Sequence, residues 1–158
     1  HSNLASIRIR LIFIKVHKKM NNNLRMLLGY LGFIPFGILT IFPWIVGEAY
    51  TKQAYFLLIV YGAIIMSFLA GMSWGWNISS RKNLAVGILF SLVGFFTIII
   101  GYFFLKIALI IFAISFPLFY IFEKRANEFM SDETYLKLRR NLTSAVSGCF
   151  LLSLLTTF

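Results

Sequence analysis

Apolar residues fill this chain in long blocks, and polar residues collect in the short gaps between them. The blocks are residues 26–46, 54–76, 84–122 and 142–158. The first, as a helix rising about 1.5 Å per residue, reaches roughly 31 Å, enough to cross the hydrocarbon core of a bilayer. The third is too long for one crossing, at roughly 58 Å. It must turn, and Gly101 and Lys106 mark the place. Splitting it there predicts a helical hairpin of residues 84–102 and 105–122. The last block is about 17 residues, the short end of a spanning helix. The pattern predicts an all-α, polytopic membrane protein, a bundle of about five transmembrane helices.

The second block organises the rest. Ala63, Ser67, Gly71 and Gly75 recur every four residues and would form one stripe of small side chains on a helix. A second helix backbone can approach closely there. Gly87, Ser91 and Gly94 give the third span a matching face, so the two spans are expected to pack through these residues. Trp44, Trp74 and Trp76 lie at span ends and read as interfacial anchors. Pro35 and Pro43 interrupt the first span and Pro117 the fourth. Each removes a backbone hydrogen bond and bends the axis. A static kink is the expected role, with a hinge or broken-helix ion site as the alternative.

Residues 1–25 form a basic N-terminal arm with six positive charges, and no acidic residue precedes Glu48. Leu4, Ile7, Leu11 and Ile14 would share one face of a surface-lying amphipathic helix, although residues 7–11 alternate as a strand would. The chain opens on His1, which suggests a missing start or a removed leader, with Met20 as an alternative first residue. Residues 123–141 are the one sizeable polar stretch and hold four of the five acidic residues. Ser131, Asp132 and Glu133 read as the start of the fifth helix.

Composition agrees with the pattern. The chain of 158 residues is 59% hydrophobic and 13% charged, against about 25% charged in soluble domains. Its net charge of +10 would suggest nucleic acid in a soluble protein. Here the charge borders apolar blocks, so membrane topology and lipid are the expected roles and nucleic acid is not. In the five-span arrangement thirteen of the fifteen basic residues fall on one side, leaving Lys52 and Lys106 on the other. The positive-inside tendency then puts the N-terminus in the mitochondrial matrix, or in the cytoplasm if the membrane is a bacterial inner membrane. Arg81, Lys82, Lys137, Arg139 and Arg140 border that surface and are candidates for anionic-lipid contact, cardiolipin included.

Catalytic signals are missing from the sequence. No nucleophile–base pair, paired carboxylates or phosphate-cradling loop is visible, and His1 and His17 have no second ligand near them in sequence. Cys149, the single cysteine, reads as a small packing residue. No enzyme activity, cofactor or metal is expected.

Three stretches add a resemblance. LGYLGFIPF (Leu28–Phe36), YGAIIMSFLAGMSWGW (Tyr61–Trp76) and YLKLRRNLTSAV (Tyr135–Val146) resemble, in order and spacing, the domain-of-unknown-function 3429 family of small membrane proteins, the group of the mitochondrial transmembrane protein sixty-nine. Ala70 stands where that family tends to have glycine, and Ser73 where it often has histidine or arginine. The resemblance implies a five-span inner-membrane protein and carries no established activity. The resulting expectation is a non-catalytic accessory subunit of a larger inner-membrane assembly, a respiratory-chain or ATP-synthase complex, packed against other membrane subunits and lipid. A small transporter or channel, or an assembly factor, is the alternative.

Overall fold

A computed structural model describes residues 2–75, 81–126 and 133–157, with side chains from residue 23 onward apart from Arg25 and Glu48. Five helices make up nearly all of it: α1 Ser2–Val46, α2 Thr51–Met72, α3 Arg81–Phe103, α4 Leu105–Ala126 and α5 Glu133–Leu155. Single 3₁₀ turns, Glu48–Tyr50 and Ser73–Gly75, precede and follow α2. Four segments are long and apolar enough to cross a membrane: Met26–Val46, Thr51–Gly75, Arg81–Phe103 and Leu105–Ala126. The fifth helix is less apolar because its first turns, Glu133 to Arg140, are polar. At 23 residues it is still about 35 Å long.

The N-terminal arm is helical and not a strand, and it is continuous with the first span: α1 runs unbroken from Ser2 through both prolines to Val46. No glycine or proline stands between Ser2 and Leu28 to end the helix early, so the arm and the first span share one axis. The break comes at Gly47, whose φ of 106° is open to glycine and strained for other residues. Its N–H bonds to the Pro43 carbonyl and closes the last turn. The hairpin between α3 and α4 is tighter than the sequence suggested, with Phe104 alone between the two helices.

The helices close into a ring in chain order. Each packs on the next, α5 returns to α1, and α2 meets α4 across the centre. The middle is aromatic. Phe36, Phe112, Phe116 and Phe150 meet stacked, tilted or edge to face at centroid separations of 5.3 to 6.1 Å, and well-oriented aromatic pairs add about 0.5–1.5 kcal/mol beyond their burial. Gly62 of α2 makes room for this cluster, since a Cβ there would lie 2.7 Å from Cζ of Phe150.

Four buried hydroxyls bond within their own helices, while the buried Ser147 Oγ finds no hydrogen-bond partner among the described residues. Thr40, Thr97, Ser115 and Ser153 each donate to the carbonyl four residues earlier, which satisfies a polar group where no water is available. The two ends of the bundle are tied differently. At one end α4 and α5 are joined through Glu123 and Arg139. At the other, Tyr55 of α2 hydrogen-bonds Thr156 just past α5. The exposed basic residues Arg81, Lys82, Lys124, Arg125, Lys137 and Arg140 lie at the Glu123 end, and Lys52 and Lys106 at the opposite end.

Candidate functional site

The seam between α2 and α3 accounts for much of what the small residues do. Gly87 lies so close to α2 that an added Cβ would sit 2.7 Å from the Ala70 carbonyl oxygen and from Ser73 Oγ, and 2.8 Å from Trp74 Nε1. One heptad on, a Cβ at Gly94 would be 3.3 Å from the Ala63 carbonyl and 3.5 Å from Ser67 Oγ. Ser91 lies half-buried between them. Ser73 is fully buried, and its hydroxyl reaches the carbonyls of Ala70 at 2.7 Å and Asn83 at 3.0 Å, tying α2 to the start of α3.

The stripe drawn from sequence therefore turns off course at its end. Gly71 and Gly75 are exposed, and a Cβ on either would meet nothing within 4 Å. Ala70 and Ser73 take their place at the seam. The reason is geometric: a strict four-residue repeat drifts around a helix of 3.6 residues per turn, whereas the observed contacts step by seven, from Ala63 to Ala70 against Gly94 to Gly87. Trp44 and Trp74 are exposed at span ends. Trp76 lies outside the described residues, as do Ser131 and Asp132 of the expected helix start.

On the opposite side of α2 the packing opens. A cavity of about 510 Å³ lies between α1, α2 and α5. Its walls run from Leu28 to Phe36 on α1, from Ile65 to Gly75 along α2 and its closing turn, and from Tyr135 to Val146 on α5, with Phe116 of α4 behind. These are the three stretches that carry the family resemblance. The walls are overwhelmingly apolar, and Leu28, Phe68 and Met72 at the margins are exposed toward the outside of the bundle. Tyr61 donates to the Gly32 carbonyl at 2.8 Å, one turn before Pro35, and so joins α1 to α2 beside the cavity.

Polar groups meet at one end. Glu123, 1% exposed, closes the last turns of α4. The Tyr135 hydroxyl donates to its Oε1 at 2.9 Å, and Arg139 donates from Nε to its Oε2 at 2.8 Å and again from Nη2. Tyr135 and Arg139 both line the cavity. Arg139, expected at the lipid surface, is thus buried and committed to a carboxylate. Arg81, Lys82, Lys137 and Arg140 are exposed as anticipated for surface charges. A carboxylate buried in this setting requires a partner, and the sequence held the signal in Glu123 as the acid nearest an apolar helix end. No group of His, Cys, Asp and Glu suited to a metal forms among the described residues.

The comparison with protein families matches residues 22–155 to the family described as "Protein of unknown function (DUF3429)", and the chain belongs to that family. No curated protein and no solved structure matches it.

Proposed function

We propose, from that membership and the arrangement just described, that the protein is a non-catalytic component of a larger inner-membrane assembly, stabilising it through helix packing and lipid contacts. A mitochondrial respiratory-chain or ATP-synthase complex is the assembly proposed, with the basic end of the bundle and the N-terminus on the matrix side and cardiolipin among the lipids. The observation that carries this reading is where the polar side chains go. Ser73, Thr40, Thr97, Ser115 and Ser153 bond to helix carbonyls, and Glu123, Tyr135 and Arg139 bond to one another. A transport path or a catalytic centre needs polar groups aimed at a substrate; these eight hold helices. The concentration of basic residues at one end supports the orientation through the positive-inside tendency.

The test is extraction of native membranes in mild detergent, separation of complexes on a native gel, and mass spectrometry of the bands. Stoichiometric migration inside a large respiratory or synthase band is expected. Migration alone or as a small homo-oligomer would overturn the reading in favour of transport, and transient association with assembly intermediates would identify an assembly factor.

A further inference from the structure

We infer that the cavity between α1, α2 and α5 is a seat for one acyl chain of an anionic phospholipid, whose phosphate lies at the Tyr135–Arg139 end. The inference rests on the proposed function only in taking the bundle to be embedded in a bilayer.

Depth is the first argument. The cavity follows α1 from Leu28 to Phe36 and α5 from Tyr135 to Val146, spans of about 12 and 16 Å at the helical rise. Half of a hydrocarbon core about 30 Å thick is about 15 Å. The cavity therefore has the depth of one leaflet and begins at the end where the charged residues gather. The second argument is size. Its 510 Å³ falls in the range of about 300–1,000 Å³ typical of small-molecule sites. That is room for an acyl chain, which can enter between the exposed Leu28, Phe68 and Met72. The third is charge. Among the described residues Arg139 is the charged one that lines the cavity, and Lys137 and Arg140, its near neighbours on α5, are exposed at the same end of the bundle. The bonds to Glu123 use Nε and Nη2 of Arg139; Nη1 is a further donor on the same guanidinium. Apolar walls one leaflet deep, ending at an arginine with exposed basic neighbours on its helix, match an anionic lipid better than a zwitterionic one.

Two glycines make the seat testable without disturbing the fold. Gly32 and Gly75 line the cavity, and a Cβ on either meets nothing within 4 Å. Gly32→Leu fills the space from α1, and Gly75→Leu fills it from the turn after α2. Gly71→Leu adds the same bulk in open space outside the cavity and serves as the control. The full chain, purified in detergent, is mixed with equal amounts of phosphatidylglycerol and phosphatidylcholine and read by native mass spectrometry. The wild type and Gly71→Leu are expected to retain one phosphatidylglycerol in preference to phosphatidylcholine, and Gly32→Leu and Gly75→Leu to lose that species. Retention by both cavity-filled variants would overturn the site, and equal retention of the two lipids by the wild type would overturn the anionic preference. Where one filled variant does not accumulate, the other decides. Because the readout is lipid mass on the isolated protein, its failure is separate from any failure to migrate with a larger complex.

Discussion

The two sides of α2 use the same residue type for opposite ends. Toward α3, glycine is where the helices are too close for anything else: Gly87 faces a backbone carbonyl at a distance no Cβ tolerates. Toward α1 and α5, Gly32 and the Gly75 turn border empty space. In a membrane, lipid tails are as apolar as leucine, so helices gain little by hiding apolar surface from lipid and gain mainly by fitting. The α2–α3 side fits backbone to backbone. The α1–α2–α5 side leaves a gap, although Gly29 of α1 lies close against Leu142 of α5, and Arg139 at one end of that gap is held by Glu123 of α4. One side is a structural joint and the other has room for a molecule.

The ion pair gives the largest expected effect. Arg139→Leu removes the cation paired with the buried Glu123 carboxylate, and removing one partner of such a pair costs about 3–5 kcal/mol. A large fall in thermal stability in detergent is expected. Replacing both residues, Glu123→Leu with Arg139→Leu, removes both charges of the pair and is expected to restore most of the loss, since apolar replacement of a whole buried pair is often neutral. If the double variant is as unstable as the single one, the pair does more than balance charge.

The joint is tested next. Gly87→Ala puts a Cβ 2.7 Å from the Ala70 carbonyl, where the neighbour is backbone and cannot swing away. Overpacking of this kind costs about 1–3 kcal/mol, outweighing the helix propensity gained by replacing glycine, which is about 1 kcal/mol. A lowered unfolding temperature is expected. Ser73→Ala, which removes the hydroxyl bonded to the Ala70 and Asn83 carbonyls, should cost about 1 kcal/mol on the same assay.

How far the sequence revealed these two sides follows from what kind of signal each leaves. Helices and their approximate ends were legible because apolar block length is a direct measure of bilayer thickness. The pairing of α2 with α3 through small residues was legible in Ala63, Ser67, Gly87 and Gly94, but the phase was lost after one turn, so Ser73 was passed over and Gly71 misplaced. The cavity was not legible at all. A void leaves no residue pattern, because it is a gap among three helices that meet elsewhere along their length, and which faces meet is decided by Phe36, Phe112, Phe116 and Phe150 in the centre. The Glu123–Arg139 pair was hidden for a related reason: the two residues lie in a polar stretch that reads as solvated, and only the return of α5 along α4 buries them.

The smallest expected effect on stability is the most informative about the outside of the molecule. Gly71→Leu would wedge the seam if the four-residue stripe governed packing. In the structure its Cβ meets nothing, so in isolated protein the change should be neutral or stabilising by up to about 1 kcal/mol, the helix propensity regained on replacing glycine. The same variant in native membranes asks a different question. An exposed glycine at the lipid-facing end of a helix offers a neighbouring backbone a close approach. If Gly71→Leu leaves the isolated protein as stable as the wild type yet removes it from a large complex on a native gel, that face is where another subunit docks. If migration is unchanged as well, α2 presents only lipid there, and the docking surface of the proposed assembly must be sought elsewhere, first on the outward side of α3 where Ile88, Leu92, Phe95 and Phe96 are all about half exposed.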